Sequence, residues 1–432
     1  DGEAMAYVSS PDLMRWKPQH FFMTSEKGQY AVADCNKPIR KTVWIGGKQV
    51  DGWALKVAYE QIVAMNRYGD HRAYRQALRE ERTVDDKKRF AGLKPVTAHI
   101  KVERELTKPI SEHLIGVFFE DLNYAADGGI YAELIQNRDF EYSSKDGNKD
   151  KNWNSTYAWG IQGDGITFTI GTDQPVHVNN PHYAILDVHA PGSAFMNAGF
   201  GGIVAKKGEK YDFSMFSKVL GGGKGGKTLV QLVTKEGKEI ARTVMKLSSK
   251  DWKKQSITLT ATEDADSTIL VLSPQTVGCY ALDMISLFPQ KTFKGHKNGL
   301  RADLAQAIAD IHPRFVRFPG GCLAHGDGVD NIYNWKETIG PLEARKPAPN
   351  IWRYHQTRGL GYFEYFQFCE DINAEPLPVV AAGVPCQNSG INGPSHHSTN
   401  IITANGQQGG IPMEEMPQYV QDVLDLIEYA NG

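Results

Sequence analysis

The sequence is poor in cysteine, in long apolar runs and in excess charge of either sign. Its five cysteines, Cys35, Cys279, Cys322, Cys369 and Cys386, lie far apart, and no two form a C-x-x-C pair. That spacing argues against a disulfide framework and against thiolate metal ligation, and leaves mostly buried free thiols as the expectation. No run of ~18 apolar residues occurs, so no membrane-spanning helix is expected. The formal net charge is -2, which gives no global attraction to nucleic acid or to an anionic membrane. The chain opens at Asp1 with neither an initiator Met nor a leader-like segment. A fragment or a processed product is the expectation, and export is not decided by the missing leader.

What is present is ordinary soluble composition, 41% hydrophobic and 23% charged, in a chain of 432 residues. At ~100–200 residues per domain, two to four domains are expected. Residues 1–54 alternate short strand-like runs with turns. Residues 55–95 carry a helical stretch rich in Ala, Glu, Arg and Gln, read as a linker. Residues 96–142 start with an alternating run, VTAHIKV. They continue with LIGVFFEDL, a continuous apolar run ending in two acids, which reads as a buried parallel strand. Residues 143–290 hold many short alternating runs separated by turns, the pattern of a β-sandwich. Residues 291–432 switch to a βα rhythm. RADLAQAIADIHP predicts a helix with Leu304, Ile308 and Ile311 on one face, and PRFVRFPGG a strand. GLGYFEYFQFCEDIN predicts a helix with Tyr365, Cys369 and Ile372 on one face, and EPLPVVAAG a strand. The last helix carries Met416, Val420, Val423, Leu424 and Ile427 in register, with Asn431-Gly432 as a C-cap signal.

Three local patterns invite chemistry and are set aside. GGGKGGKT (221–228) fits the phosphate-loop pattern, but the residues after it, TLVQLVTKEGKEIARTV, alternate with period two and contain a hairpin-type turn at Lys235-Glu236-Gly237. A phosphate loop needs a helix there, so Lys227 and Thr228 are expected to open a strand. His396-His397 sits in a polar loop, and adjacent residues do not share one helix face for a metal. Asp327-Gly328-Val329-Asp330 lacks the spacing of a calcium loop.

The βα rhythm implies a doubly wound sheet or a βα-barrel, whose site lies at the C-terminal strand ends. The first strand delivers Glu120 and Asp121 there. The second delivers Arg317 and then Gly320-Gly321. The third delivers Ala381-Ala382-Gly383 and a loop with Asn388. Tyr333, Trp335 and Trp352 supply aromatic walls in neighbouring loops. Acid, arginine, glycines and aromatics together suit a sugar, whose hydroxyls need polar partners and whose C–H faces stack on rings. The bland alternative for Arg317 is an ion pair inside a barrel; for Trp335 it is a core position.

Several long blocks resemble glycoside hydrolase family 51, the α-L-arabinofuranosidases. They are PISEHLIGVFFEDLNYAADGGIYAELIQNRDFEY, ALDMISLFPQKTFKGHKNGLRADLAQAIADIHPRFVRFPGGC, YNWKETIGP, GLGYFEYFQFCEDINAEPLPVV and VQDVLDLIEYANG. The resemblance covers about residues 96–432 and is nearest the branch with plant-type enzymes. It implies an α/β fold: a partial (β/α)8 TIM barrel of three βα units, an inserted all-β sandwich similar to a carbohydrate-binding module, and an N-terminal β/helical appendage. It implies hydrolysis of terminal α-L-arabinofuranosyl residues of arabinan, arabinoxylan or arabinogalactan, with retention and without cofactor or metal. Glu120 matches the family's substrate-binding acid, Arg317 its second-strand arginine and Trp335 its pocket-rim tryptophan. Cys322 stands where many members carry Asn, as in the plant-type branch, and joins the substrate-binding set.

The family's acid/base Glu lies in a Gly-Asn-Glu motif, and none occurs in these 432 residues. Both catalytic Glu residues are therefore expected beyond Gly432, and the chain alone is expected to be inactive. The alternative is a non-catalytic carbohydrate-binding protein. The expected partner in either case is an arabinose-containing glycan, with no nucleic acid and no membrane span, and a homo-oligomer is compatible with the composition. Substrate size implies a secreted or periplasmic protein. AYVSSPDLMRW in 1–54 vaguely resembles a repeat of propeller glycosidases.

Overall fold

In the computed structural model, the described residues are 83–103, 107–223, 225–247, 250–386 and 410–432, with short pieces before residue 83. The chain divides into two units, Asp1–Thr107 and Lys108–Gly432. In the first unit, Ile39–Ile45 and Lys48–Ala54 form an antiparallel hairpin. Most of the propeller-like stretch and most of the helix expected over 55–90 lie outside the described residues, as do Cys35, Asn388 and His396-His397. VTAHIKV is not a strand. Its residues are exposed and irregular, because an alternating run holds strand geometry only when a neighbour takes up its N–H and C=O groups.

The second unit combines an antiparallel double-sheet part with a parallel βα part. One sheet has the order Glu239–Leu247, Gly226–Thr234, Ala265–Pro274, Ala194–Asn197, Trp159–Gln162, with Ile203–Ala205 also paired to Ala265–Pro274. The other has the order Lys253–Thr260, Lys210–Val219, Gly278–Pro289, Tyr183–Val188, Ile166–Gly171. Their inner faces share one apolar cluster that includes Leu186, Phe195, Phe213, Leu232, Leu270 and Leu287. The strand Lys210–Val219 shows why the sequence folds this way. Tyr211, Phe213 and Met215 point inward while Asp212 and Ser214 do not, and period two is what a half-buried strand requires. Lys227 and Thr228 lie in a strand, and Gly237, with φ +86°, turns the next hairpin.

The parallel part has three strands in the order Glu375–Pro378, Phe315–Phe318, Val117–Phe118. Arg317 is in register with Leu377 on one side and Phe118 on the other. Pro376 and Pro378 lack N–H groups, which an edge strand tolerates. The helix Tyr362–Asp371 covers the central strand. Tyr365 stacks on Phe318 with centroids 4.6 Å apart, and Phe366 meets the same ring edge-on.

Three expectations need correction. The first strand is two residues long and forms an edge, so Phe118 is 52% exposed rather than buried. In the helix Ala302–Ala309 the buried residue is Ala305, while Leu304 and Ile311 are exposed. In the helix Met416–Asn431 the buried residue is Leu426, and Val420, Leu424 and Ile427 face outward. In the two helices the apolar stripe read from the sequence is only partly covered: Ile308 packs against the apolar cluster of the parallel part, while Leu304, Val420, Leu424 and Ile427 face outward.

The two parts are sewn together by a buried acid. The Glu133 carboxylate accepts from the N–H groups of Ile135 at 3.1 Å and Leu287 at 2.9 Å, and pairs with Arg138 at 3.3 Å. The amide of Asn180 adds bonds of 2.9 Å each to the carbonyls of Glu343 and Arg345. These contacts fix the loops around the C-terminal strand ends.

Candidate functional site at the parallel strand ends

The run Val117–Phe118 carries the chain to Glu120, and the neighbouring strand carries it to Pro319-Gly320-Gly321. The link is direct: the N–H of Phe119 donates to the Arg317 carbonyl at 2.8 Å. The Glu120 side chain then crosses to the glycines. Its Oε1 accepts from the N–H of Gly321 at 2.7 Å and of Leu323 at 3.0 Å. These N–H groups open the short helical turn Cys322–His325. Cys322 is half-buried there. Both bonds fall on Oε1, and Oε2 makes none among the described residues.

Gly320 is required by this approach. A Cβ built on it would lie 2.6 Å from both Cγ and Oε1 of Glu120, and its φ is +156°. Gly321 is different. A Cβ there would meet only Nη2 of Arg317 at 3.8 Å and Oε1 of Glu120 at 4.0 Å, both ordinary contacts. Gly321 therefore sits between the two charged groups. Arg317 lays its guanidinium over the Phe118 ring, 4.2 Å from the centroid. No carboxylate pairs with it among the described residues, so the ion-pair alternative has no partner here. The geometry offers a ligand a carboxylate oxygen with spare lone pairs beside a guanidinium with spare donors.

Asp121 does not join Glu120. Successive residues of an extended chain point to opposite sides, and Asp121 turns into the protein. Its Oδ1 accepts from the Ala126 N–H at 3.0 Å, and the Tyr354 hydroxyl lies 3.1 Å away. Its carbonyl accepts from Tyr354 at 2.6 Å and from the Asn350 amide at 3.1 Å. Burial pushes its carboxyl up to about 7, against the opposing pull of the Ala126 N–H and with the nearby Asp127 adding to the rise. Asp127, also buried and raised, accepts from the N–H and hydroxyl of Thr357. Behind them Asp146 and His355 form a buried pair at 3.2 Å. Burial alone would raise Asp146 and lower His355. Their mutual attraction outweighs it, so Asp146 is lowered and His355 raised. Sequence reasoning missed Asn350, Tyr354 and His355, since partners more than 200 residues apart leave no local pattern.

Trp335 corrects another expectation. It is 6% exposed and belongs to the apolar cluster of the parallel part. Its ring centroid lies 5.2 Å from that of Tyr429, and its indole N–H donates to the Asp422 carbonyl at 2.8 Å. That is a core position, held by the last helix, and not a rim. Tyr333 is buried beneath the Arg358 guanidinium, and Trp352 is partly exposed. Among the described residues no cluster of three His, Cys, Asp or Glu side chains is arranged to hold a metal. No described helix is long and apolar enough to cross a membrane.

Residues 307–432 match the profile of the α-L-arabinofuranosidase 1 domain. An extracellular exo-α-L-arabinofuranosidase of Streptomyces chartreusis is 37% identical over 337 residues, 75% of this chain and 37% of that protein. The chain belongs to glycoside hydrolase family 51. Among its relatives, α-L-arabinofuranosidase 1 of Arabidopsis thaliana is 34% identical over 350 residues, 78% of this chain and 47% of that protein. A solved arabinose-bound α-L-arabinofuranosidase superposes with a TM-score of 0.62 at 28% identity, covering 73% of this chain and 49% of that one. The chain thus spans half or less of the length of these relatives. It is homologous to these glycoside hydrolases, and its Glu120, Gly320-Gly321 and Arg317 lie within the span of the resemblance.

Proposed function

We propose that these residues form the sugar-holding part of a retaining α-L-arabinofuranosidase. Its substrates are terminal non-reducing α-L-arabinofuranosyl residues of arabinan, arabinoxylan or arabinogalactan. The observation that carries this reading is the meeting of Glu120 and Arg317 on neighbouring parallel strands, around Gly321, in a chain of this family. Glu120, fixed through Oε1, accepts a sugar hydroxyl on Oε2. Arg317 donates to the sugar and to the nucleophile carboxylate. Cys322 borders the site at the start of the helical turn.

In this reading the three parallel strands are the first three of a (β/α)8 barrel. Residues 143–290 are an inserted carbohydrate-binding sandwich, and 291–432 are the later βα units. Retention needs two carboxyl groups ~5–5.5 Å apart, one a proton donor and one a nucleophile. Neither is assigned within these residues. Glu364 is committed to Arg345 through two hydrogen bonds, 2.7 and 2.9 Å, and to the Gly361 N–H, while Glu370 and Glu428 are exposed on helices. The acid/base and nucleophile belong to sequence beyond Gly432. The glycan substrate, and the word extracellular in the name of the Streptomyces relative, support secretion.

The test is release of a chromophore from an aryl α-L-arabinofuranoside. The 432-residue chain should give no turnover, and the same chain extended by the codons downstream of Gly432 in its gene should give turnover with retention. Comparable rates from both would place the catalytic carboxylates within these residues and overturn the assignment. A stop codon after Gly432, with sugar binding but no turnover, would replace it by the binding-protein reading.

A further inference from the structure

The chain is held on both sides of Glu120. Before it, the N–H of Phe119 donates to the Arg317 carbonyl at 2.8 Å. After it, the N–H of Leu122 donates to the Glu120 carbonyl at 2.8 Å, closing a three-residue turn centred on Asp121. The strand ends at Phe118, so the direction of this turn is set by what grips Asp121. Its carbonyl takes two donors, the Tyr354 hydroxyl at 2.6 Å and the Asn350 amide at 3.1 Å. Two donors occupy both lone pairs of that oxygen. Its carboxyl takes the Ala126 N–H at 3.0 Å.

Both long-range donors come from one hairpin, more than 200 residues further along the chain. Ala348–Pro349 pairs with His355–Gln356, and the N–H of Asn350 closes the loop on the Tyr354 carbonyl at 2.7 Å. Asn350 divides its side-chain amide between two tasks. Its oxygen accepts from the Trp352 N–H at 2.8 Å and so shapes the loop, while its NH2 reaches Asp121. The Tyr354 ring lies against Tyr124, with centroids 4.3 Å apart. Asn350 and Tyr354 are both buried, so water does not replace either donor once it is lost. Glu120 is thus fixed at its carboxylate by the N–H groups of Gly321 and Leu323, and at its backbone by a turn that the hairpin clamps. A group that grips a ligand must be held to within about 0.5 Å, and such precision comes from the residues behind it.

We propose that Asn350 and Tyr354 are positioning residues for Glu120: by clamping the Asp121 carbonyl they hold the turn that aims the Glu120 carboxylate at Gly321 and Leu323. That Glu120 in turn holds a sugar rests on the functional reading above; the clamp does not.

The first test is amide hydrogen exchange on the 432-residue chain, without ligand. The amides of Gly321 and Leu323 report on Glu120 directly, because both donate to its Oε1. Glu120→Ala sets their fully released rate. Tyr354→Phe keeps the ring and removes the hydroxyl, and should speed exchange at both amides about three- to tenfold. Asn350→Asp keeps the acceptor for the Trp352 N–H, removes the donor to Asp121, and should act in the same direction. The control is Thr357→Val, which removes a buried hydroxyl that bonds Asp127 at 2.8 Å in the same region and leaves the Asp121 contacts alone. It should leave the two amides at the parent rate once any change in global stability is subtracted. Parent rates in both clamp variants, or an equal acceleration in Thr357→Val, would overturn the proposal. The second test is kcat/KM on the aryl arabinofuranoside in the extended chain. Tyr354→Phe should lower it about three- to tenfold alone and add nothing in a Glu120→Gln background. An equal loss in that background would show that Tyr354 does not act through Glu120 and would overturn the proposal. Faster exchange with kcat/KM unchanged would uphold the clamp and count against the sugar-holding role of Glu120.

Discussion

Replacing Gly320 by Ala should be costly, and replacing Gly321 by Ala should not, although the two are adjacent in one loop. At 320 the new methyl would lie 2.6 Å from Cγ and Oε1 of Glu120, about 1 Å inside the optimum for non-bonded carbon contacts. Glu120 would have to swing away, giving up the 2.7 and 3.0 Å bonds from Gly321 and Leu323. Hydrogen bonds to a charged group contribute about 1.5–3 kcal/mol each, and half-burial puts the pair near the lower end. A side chain at φ +156° adds strain of order 1–3 kcal/mol. Gly320→Ala should therefore destabilise by roughly 3–6 kcal/mol, and Gly321→Ala by less than about 1 kcal/mol. Denaturant unfolding of both variants measures this. A double-mutant cycle with Glu120→Ala separates the contributions. In that background the clash is gone, and Gly320→Ala should cost only the backbone part. Equal costs at 320 and 321, or an unchanged cost in the Glu120→Ala background, would show that Glu120 does not approach the glycines as described.

Asp121, with its carboxyl near 7 against 3.8 unperturbed, holds a proton that the unfolded chain releases. Its contribution to stability should therefore fall as pH rises from about 4 to 7, by roughly 4 kcal/mol in all. Asp121→Asn should flatten that slope in pH-dependent unfolding, and an unchanged slope would refute the burial argument. The Asp146–His355 pair works in the opposite sense at its acid limb. Its stabilisation is lost as pH falls below the unperturbed Asp range and again as pH rises through the raised His355 value. Asp146→Asn should thus destabilise most between about pH 4 and 6.5, read by the same unfolding series. Arg317→Ala should leave the unfolding midpoint within about 0.5 kcal/mol of the parent, because it has no described ion pair to lose. It should nevertheless cut turnover in the extended chain; a lowered midpoint with turnover intact would restore the ion-pair reading.

The meeting of Glu120 and Arg317 was legible because each ends an apolar run, and sequential βα units tend to lie side by side. The strands of the sandwich were legible for the same kind of reason: in Lys210–Val219 the alternate residues Tyr211, Phe213 and Met215 are apolar. The side to which a polar residue turns was not legible. Asp121 comes directly after Glu120, yet it serves Tyr354 and Asn350, which are more than 200 positions away. Trp335 reads equally well as rim or core, and only the helix Met416–Asn431, packed on it, decides. The exposed faces of Val420, Leu424 and Ile427 show the same limit, since a stripe records that a helix can be buried but not what buries it.

The placement of the sandwich has a kinetic consequence. Val117–Phe118 pairs with Phe315–Phe318, so one of the two ladders of the parallel sheet joins segments almost 200 residues apart in sequence. Closing a flexible loop of that length costs roughly 2–3 kcal/mol more entropy than closing one of ten residues, and a two-residue strand returns little in exchange. Once the intervening strands fold on their own hydrophobic cluster, the effective loop shrinks to the short segments at each end, held by Glu133 and Arg138. The sandwich thus acts as a clasp in folding. Refolding should order its aromatic cluster first, and the meeting of Glu120 and Arg317 should be among the last features to assemble.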